Sequence, residues 1–501
     1  MQVVSRLRRR LGSEVSLRAL FDTRTPASLA VHLETLGEQG ETAPVRPVRP
    51  AAPDRPLPVS YGQERLWEID RRQPGGSFFN CVGPLRIRGP LDPAALRSAL
   101  DALVSRHEVL RTAFREESGT PVPVISPDAR VPWETTDLGG LGREEAEDAV
   151  CRAIAAEAAR PFPLVTPPMV RAVLLTIGPR EHVLILTFHH IVIDDWSDAV
   201  LTADVADLYA AYADGRTPQL PEPAIQHSDF ARWQRERFSG DTLSEQLGWW
   251  RGRLAGLELR SDPPPDVLPP DEPTFAAGAV RCTLSVGLRR DLHELCLRHG
   301  LTPYMALLAG FAVLLRAESG SADVCVESPM ANRSHWETEG LVGYLVNPVL
   351  IRLDLSGEPS LRTLLARVRD TCLGVFAHQG VPFGLVVDEL ADVRDLYRRP
   401  TAKFILETGP GTVLRLPGLE VEPLEVASPP QLKNPYQLTV AESADGLGVT
   451  LSFNTDLISA PRAERALASY ERLLGLMTAG GEHEERLLPD LLHRLRETRT
   501  A

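Results

Sequence analysis

The sequence changes from a strand pattern to a helix pattern at residues 188–197, which read FHHIVIDDWS. The apolar run from His182 to Thr187 precedes this stretch and predicts a buried strand. Apolar residues at helical spacing follow Ser197 and predict a helix. The adjacent histidines His189 and His190 therefore lie where a buried strand ends. Since neighbouring residues of a strand face opposite sides, one imidazole can face a cavity while the other anchors the scaffold. Taken alone, such a pair more often indicates hydrogen-bonded packing than chemistry.

Length and composition indicate a globular protein with an acidic balance. The 501 residues suffice for two or three domains, with 43% hydrophobic and 24% charged residues. The net charge of -13 argues against a nucleic-acid partner. Six scattered cysteines without a CxxC pair favour neither a zinc site nor a disulfide framework, and they fit a reducing, cytoplasmic setting. No run reaches the roughly 20 apolar residues of a membrane span, so we expect no membrane partner. The scattered cysteines likewise give no reason to expect a metal.

The pattern along the chain divides it into four parts. Residues 1–39 predict a small helical unit that is too small to bury a good core by itself. Residues 40–57 are rich in Pro and predict a semi-rigid linker rather than a packed element, although a polyproline ligand for another protein is the alternative. The main body mixes helices and strands without strict βαβ alternation, which favours an α+β fold. We expect two similar halves, at residues 58–225 and 226–490.

Within the body, periodicity predicts individual elements. Helices are expected after Asp92, at Arg143 to Ala159, Leu288 to Arg298, Thr302 to Leu315 and Pro461 to Met477. Strands are expected at Met169 to Ile177, His182 to Phe188, Val280 to Ser285, Asp323 to Glu327, Val346 to Leu353, Ala402 to Glu407, Gln437 to Ala441 and Gly448 to Asn454.

Short motifs occur in a fixed order along this body: SYGQERLW at 60–67, RHEVLRTAF at 106–114, HHIVIDDWS at 189–197, HSDFARW at 227–233, VGYLVN at 342–347 and HQGVPF at 378–383. This ordered set resembles the condensation domains of nonribosomal peptide synthetases, relatives of chloramphenicol acetyltransferase. The resemblance covers about Pro56 to Pro489. Departures from the family pattern are Gly62 for Ala, His227 for Tyr and Gly384 for Glu. The last family motif is matched only in part, at residues 394–400.

The resemblance implies a fold and a reaction. The fold would be two acetyltransferase-like subdomains in a V-shaped pseudo-dimer with a central tunnel. In the reaction, the amine of an acceptor attacks the thioester of a carrier-bound donor and forms a peptide bond. The implied partners are donor and acceptor peptidyl carrier domains and a neighbouring adenylation domain, in secondary-metabolite and antibiotic biosynthesis. An ester-forming variant is an alternative, since the same base can serve a hydroxyl acceptor.

The N-terminal unit is similar to the last helices of a peptidyl carrier domain over Leu17 to Ala30. In that family the pantetheine-bearing Ser lies in a G-G-x-S segment just before these helices, a segment that would precede Met1. We therefore expect no cofactor bound covalently to this chain. The phosphopantetheine arms of the donor and acceptor carriers would be substrates.

The resemblance also implies roles for residues of the His motif. His190 would orient the amine and take its proton, or hydrogen-bond the tetrahedral intermediate, while His189 would be structural. Asp194 would pair with an arginine and hold the loop; Arg111 is the first candidate and Arg106 the second. In the alternative, Asp194 itself is the base.

Four further residues are expected to support the site: Asp195, Trp196, Ser197 and Asn347. The family usually has Gly where Asp195 stands, and a carboxylate near an amine favours the ammonium form, which is not nucleophilic. An Asp-Asp pair is similar to noncatalytic relatives in glycopeptide synthetases that recruit cytochrome oxygenases. Those relatives also replace the second His by Arg, whereas this chain keeps His190. Active condensation, an impaired or recruiting domain, and a harmless outward-facing Asp are the three interpretations.

Two other classes of related domain are disfavoured. An epimerisation domain usually has Trp directly after the Ser of this motif, where this chain has Asp198. A heterocyclisation domain would have D-x-x-x-x-D in place of the His motif.

Overall fold

The structure is a computed structural model, and every structural statement below refers to the residues that it describes. These are residues 2–12, 15–23, 25–38, 47–50, 57–72, 75–257, 262–390, 401–407, 414–424, 431–443, 446–480, 485 and 487–497. The last family motif, predicted at residues 394–400, lies outside this part of the chain.

Helices and strands are mixed along the described chain. The helices are α1 (Gln2–Leu11), α2 (Leu17–Asp22), α3 (Pro26–Glu38), α4 (Tyr61–Arg72), α5 (Pro93–Arg106), α6 (Arg143–Ala159), α7 (Asp195–Ala213), α8 (His227–Arg237), α9 (Gly240–Leu254), α10 (Val286–His299), α11 (Pro303–Ser319), α12 (Leu361–His378), α13 (Phe383–Glu389) and two closing helices at Ala460–Thr478 and Leu488–Glu497. The strands are β1 (Asn80–Arg88), β2 (Thr112–Glu117), β3 (Thr120–Ile125), β4 (Trp133–Asp137), β5 (Val170–Gly178), β6 (Glu181–His189), β7 (Ala277–Ser285), β8 (Asp323–Met330), β9 (Asn347–Asp354), β10 (Lys403–Glu407), β11 (Glu420–Pro423), β12 (Tyr436–Ser443) and β13 (Gly446–Asn454).

The strands form two large sheets and a hairpin. The first sheet has the order β11-β1-β6-β5-β4, and its β4–β5 pair is parallel. The second sheet has the order β7-β13-β12-β10-β8-β9, with β10 parallel to both of its neighbours. The hairpin joins β2 and β3. Each large sheet has its own hydrophobic core, and the prediction of an α+β fold is confirmed.

Strand β6, which leads to the His motif, is buried on both faces. Leu184 packs into the core beneath α5 and α7, while its neighbours Val183 and Ile185 pack into a separate cluster beneath α6. A strand covered on both sides carries a continuous apolar run rather than an alternating one. This explains why the sequence from His182 to Thr187 predicts the strand so clearly.

Segments of the second half of the chain complete the first sheet and its core. Strand β11 pairs with β1 in antiparallel register, with Leu85 opposite Pro423. Val342, Tyr344 and Leu416, which come from the second half, are buried in the core of the first sheet. The two halves are therefore joined by segments that the second half contributes to the first, and not only by the connecting chain.

Helix α11 forms the centre of the second core. Thr302 caps its N-terminus by accepting a hydrogen bond from the backbone N–H of Met305 at 3.3 Å, and Gly320 ends it in a left-handed conformation. All residues from 305 to 315 are buried, because α10, α12 and the helix Ala460–Thr478 surround it. No single described helix is long and apolar enough to cross a membrane; α10 and α11 reach that length and composition only together, and they meet at 102°.

The Pro-rich segment is packed against the body at one point. Val48 is buried in a small cluster with Ile225, Phe230, Leu341 and Leu345. The prediction of a linker without packing is therefore wrong at Val48. An apolar side chain between prolines gains free energy by leaving water wherever the body offers an apolar recess.

The N-terminal helical unit also contacts the second half. Leu17 and Phe21 of α2 pack against the core that includes α12. The guanidinium of Arg9 on α1 lies 4.1 Å from the centre of the Trp336 ring. These contacts supply burial that a unit of this size cannot create within itself.

Candidate active site

The end of β6 places the two histidines on a tight turn. His189 is the last residue of the strand and pairs with Asn80 of β1. His190 begins a short 3-10 helix, and its backbone N–H donates to the carbonyl of Phe79 at 2.8 Å. Asp194 then caps helix α7. The turn between strand and helix that the sequence predicts is confirmed.

His189 holds the backbone of this turn. Its ring is buried, and its Nδ1 accepts a hydrogen bond from the backbone N–H of Ile191 at 3.1 Å. Phe79 and Phe162 pack against the imidazole at centroid distances of 5.8 and 6.0 Å. Burial, followed by the nearby charges of His190 and Arg171, lowers the pKa of His189 to about 3. The ring therefore stays neutral at physiological pH and acts as a packing group.

His190 is held in one tautomer. Its Nδ1 lies 2.8 Å from the backbone oxygen of Ile193, and because a carbonyl oxygen only accepts, Nδ1 carries the proton. The lone pair of the neutral ring is then on Nε2. The ring of Tyr344 stands edge-to-face against the imidazole, with centroids 5.0 Å apart and an interplanar angle of 79°.

The pKa of His190 is lowered from its usual value. Burial is the largest cause; the charge of Asp195 and the hydrogen bond to Ile193 oppose it, and Lys403 adds to it. The imidazole is therefore predominantly neutral at pH 7. A neutral ring with a fixed Nδ1–H has the protonation state of a general base acting through Nε2.

Asp194 caps α7 and ties it to the second half of the chain. Its Oδ1 accepts from the backbone N–H of Ser197 at 2.9 Å and from the Ser197 hydroxyl at 2.7 Å. Its Oδ2 accepts from the backbone N–H of Leu345 at 3.1 Å. The Ser197 hydroxyl in turn accepts from the backbone N–H of Gly343 at 3.1 Å.

The arginine that pairs with Asp194 is Arg333, whose Nη2 lies 2.7 Å from Oδ1. The predicted partners are wrong. Arg106 instead pairs with Asp204 at 2.9 Å. Arg111 donates to the carbonyl of Ser105 in the last turn of α5 and to the carbonyl of Ser126 just after β3, both at 3.3 Å. Arg333 comes from the other half of the chain, 139 residues away, so no local spacing relates it to the His motif.

The segment that carries Arg333 connects the two halves at the site. We call residues 331–346, between β8 and β9, the bridging segment. Arg333 Nη1 donates to the carbonyls of Thr338 and Leu341, both at 2.6 Å, and so fixes the fold of this segment. The indole N–H of Trp196 donates to the carbonyl of Glu339 at 2.8 Å. Trp196 therefore supports the site by holding α7 against the bridging segment.

Asn347, also expected to support the site, holds a neighbouring turn. Its Nδ2 donates to the carbonyls of Gln379 and Val381, both at 2.7 Å, and its Oδ1 accepts from the backbone N–H of Phe383 at 2.9 Å. These bonds join the start of β9 to the HQGVPF motif. Two motifs that are about 30 residues apart in the sequence thus form one structural unit.

Acidic side chains from both halves surround the start of α7. Asp195 is exposed. Burial raises the pKa of Glu407 on β10, and the charge of Asp195 raises it further. Asp198 is also exposed, yet desolvation, followed by Asp195 and Asp194, raises its pKa to about 7. The described residues include no group of His, Cys, Asp and Glu placed to hold a metal ion.

The family match covers most of the chain. The condensation-domain family matches residues 54–490 of this chain. A linear gramicidin synthase protein of Brevibacillus parabrevis is 38% identical over 491 residues, which are 97% of this chain and 10% of that protein. Phosphinothricin tripeptide synthetase PhsB of Streptomyces viridochromogenes is 37% identical over 412 residues, 81% of this chain and 34% of that protein. The chain thus spans about a third or less of these relatives.

Solved structures share the fold. The X-domain from teicoplanin biosynthesis gives a TM-score of 0.77 at 24% identity, covering 89% of this chain and 99% of that chain. The first condensation domain of the calcium-dependent antibiotic synthetase gives 0.70 at 20% identity, covering 87% and 99%. The acetyltransferase-like fold expected from the sequence is confirmed. The chain belongs to the condensation-domain family of nonribosomal peptide synthetases, acyltransferases that form peptide bonds.

Proposed function

We propose that this domain joins two carrier-bound substrates, with His190 as the group that acts on the attacking amine. The observation that carries this proposal is the tautomer fixed by the carbonyl of Ile193, together with a pKa below the usual histidine value. The α-amine of an acceptor has a pKa near 8, so part of it is neutral at physiological pH. Nε2 would then orient the amine and take its proton as the nitrogen bonds to the thioester carbonyl and the thiolate leaves.

The reaction does not require a strong catalyst. A thioester is already activated, and holding two tethered reactants in register can supply roughly 7–11 kcal/mol of barrier reduction. A general base typically adds about 10² to 10⁴ in rate. We propose that the fold mainly positions the two phosphopantetheine arms, in a passage between the halves, and that His190 supplies the smaller, chemical part.

The proposed partners are the donor and acceptor peptidyl carrier domains and a neighbouring adenylation domain, in the cytoplasm. An amide is the proposed product, since the neutral imidazole suits an amine nucleophile that needs only modest help. Ester formation would need the same Nε2 to accept a hydroxyl proton. Supplying acceptor carriers loaded with an amino acid or with the matching hydroxy acid distinguishes the two.

A noncatalytic, recruiting role is the second candidate, because Asp195 stands where the family usually has Gly. Retention of His190, in the protonation state of a base, favours catalysis. Replacing Asp195 by Gly separates the two: an active domain should change by less than about tenfold, whereas a large gain in turnover would show that the native domain is impaired.

The decisive experiment uses chemically loaded donor and acceptor carrier domains, with the product detected by mass spectrometry. His190→Ala should lower the rate of peptide formation by about 10² to 10⁴. His293→Ala is the matched control, since that histidine is exposed on α10, and it should leave the rate unchanged. Near-normal turnover of His190→Ala would show that positioning alone suffices and would remove the base from the mechanism.

A further inference from the structure

Tyr344 is the aromatic side chain that packs on the His190 ring, and it comes from the other half of the chain. Its centroid lies 5.0 Å from that of the imidazole, nearly perpendicular to it. Tyr344 is buried within the core of the first sheet, although it belongs to the bridging segment. The same segment holds Asp194 and Ser197, so the placement of Tyr344 is fixed by the network that caps α7.

Gly62 leaves the space that the Tyr344 ring occupies. A Cβ atom at residue 62 would lie 2.9 Å from both Cδ1 and Cε1 of Tyr344, closer than side chains tolerate. Gly62 is also one of the positions where the sequence departs from the family pattern, which has Ala. The departure is thus explained by a ring that needs the volume of a methyl group.

His227, the second departure from the family pattern, holds the backbone of Gly343 and Tyr344. Its Nε2–H donates to the carbonyl of Tyr344 at 3.3 Å. A Cβ at Gly343 would lie 2.0 Å from Cδ2 of the His227 ring, so His227 packs directly on the Gly343 backbone. Burial lowers the pKa of His227 to about 4, so the ring is neutral. Two unrelated departures in the sequence therefore converge on Tyr344.

We propose that Tyr344 is a positioning residue for His190. Gly62 leaves room for the Tyr344 ring, and His227 holds the Tyr344 backbone. The hydrogen bond to Ile193 fixes Nδ1, but it leaves the imidazole free to tilt about that bond. A ring stacked edge-to-face on the imidazole blocks this tilt and so directs Nε2. The same ring keeps water from one side of the imidazole and contributes to the burial that lowers its pKa. The catalytic consequence rests on the proposed function of His190.

A double-mutant cycle tests the match between Gly62 and Tyr344. Gly62→Ala should lower the rate of peptide formation, by up to about 10²-fold if the imidazole moves by about 1 Å. In a Tyr344→Ala background the same Gly62→Ala change should have no further effect, because the methyl group then has room. Gly252→Ala on α9, where a Cβ meets nothing within 4 Å, is the matched control. An equal loss from Gly62→Ala in both backgrounds would overturn the proposed match.

Three measurements distinguish a residue that positions His190 from one that only stabilises the fold: kcat, KM and the pH–rate profile. Tyr344→Phe keeps the ring and should retain kcat, whereas Tyr344→Ala should lower kcat with little change in KM. Tyr344→Ala should also raise the pKa of His190 towards its ordinary value of about 6.5, because water reaches the ring, so the acid limb of the pH–rate profile should move to higher pH. Loss of kcat in Tyr344→Phe as large as in Tyr344→Ala, or an unchanged pH profile in Tyr344→Ala, would overturn the proposal.

The outcome is distinguishable from failure of the proposed function. If His190→Ala turns over normally, the base itself is wrong, but thermal unfolding still measures whether Gly62 and Tyr344 are coupled. If His190→Ala is inactive while Tyr344→Ala is unaffected in rate and pH profile, the base stands and the role of Tyr344 is refuted.

Discussion

Removing the carboxylate of Asp194 should mainly lower the stability of the protein rather than act directly on the reaction. The side chains of Asp194 and Arg333 are 0% and 1% exposed, and their charged atoms are 2.7 Å apart. Asp194→Ala leaves a buried guanidinium unpaired and deprives the donors of Ser197 and Leu345 of their acceptor. Breaking a buried pair in this way typically costs about 3–5 kcal/mol. This is a large part of the roughly 5–15 kcal/mol that stabilises a typical domain.

The assay is urea unfolding followed by intrinsic fluorescence, with peptide formation measured in parallel. Glu389→Ala is the matched control, because its pair with Arg251 is 2.9 Å long but 57% and 49% exposed, and it should cost no more than about 1 kcal/mol. In Asp194→Ala/Arg333→Met the loss should be smaller than the sum of the two single losses, because no unpaired charge remains. An Asp194→Ala protein with the stability of the wild type and no activity would refute this reasoning and assign the carboxylate to the chemistry.

Three further predictions concern charge and docking. Asp195→Asn removes a charge that raises the pKa of His190, so the acid limb of the pH–rate profile should move to lower pH; a shift to higher pH would contradict the assignment. Asp198→Asn should increase the free energy of unfolding more at about pH 7.5 than at about pH 5.5. With a folded pKa of about 7, the ionised Asp198 destabilises the folded protein by an amount that grows as the pH rises to that value, and Asn removes this cost. Equal gains in urea titrations at both pH values would count against the prediction. Arg9→Ala removes the contact with Trp336 and should speed limited proteolysis around residues 2–38 by about two- to fivefold, whereas Arg10→Ala should not.

Elements with a local signal could be predicted from the sequence. Helix α6 has the predicted bounds, Arg143–Ala159, and β6 extends one residue beyond the predicted strand at each end. Strand β1 was not predicted, because Gly83 and Pro84 interrupt its pattern. Antiparallel pairing with β6 on one side and β11 on the other holds it in the sheet. Periodicity reports which face of an element is buried, and it is silent where pairing with distant strands overrides propensity.

The sequence by itself determined the fold class, the family and the turn that presents two histidines at the end of a buried strand. These features can be predicted because the spacing of apolar residues within an element and the order of short motifs both depend on residues that are close together in the sequence. Only the tertiary structure decided that Arg333 pairs with Asp194 and that Tyr344 packs on His190 across the two halves. Such contacts depend on which surfaces meet when the second half of the chain packs against the first, and no spacing along the chain encodes that meeting.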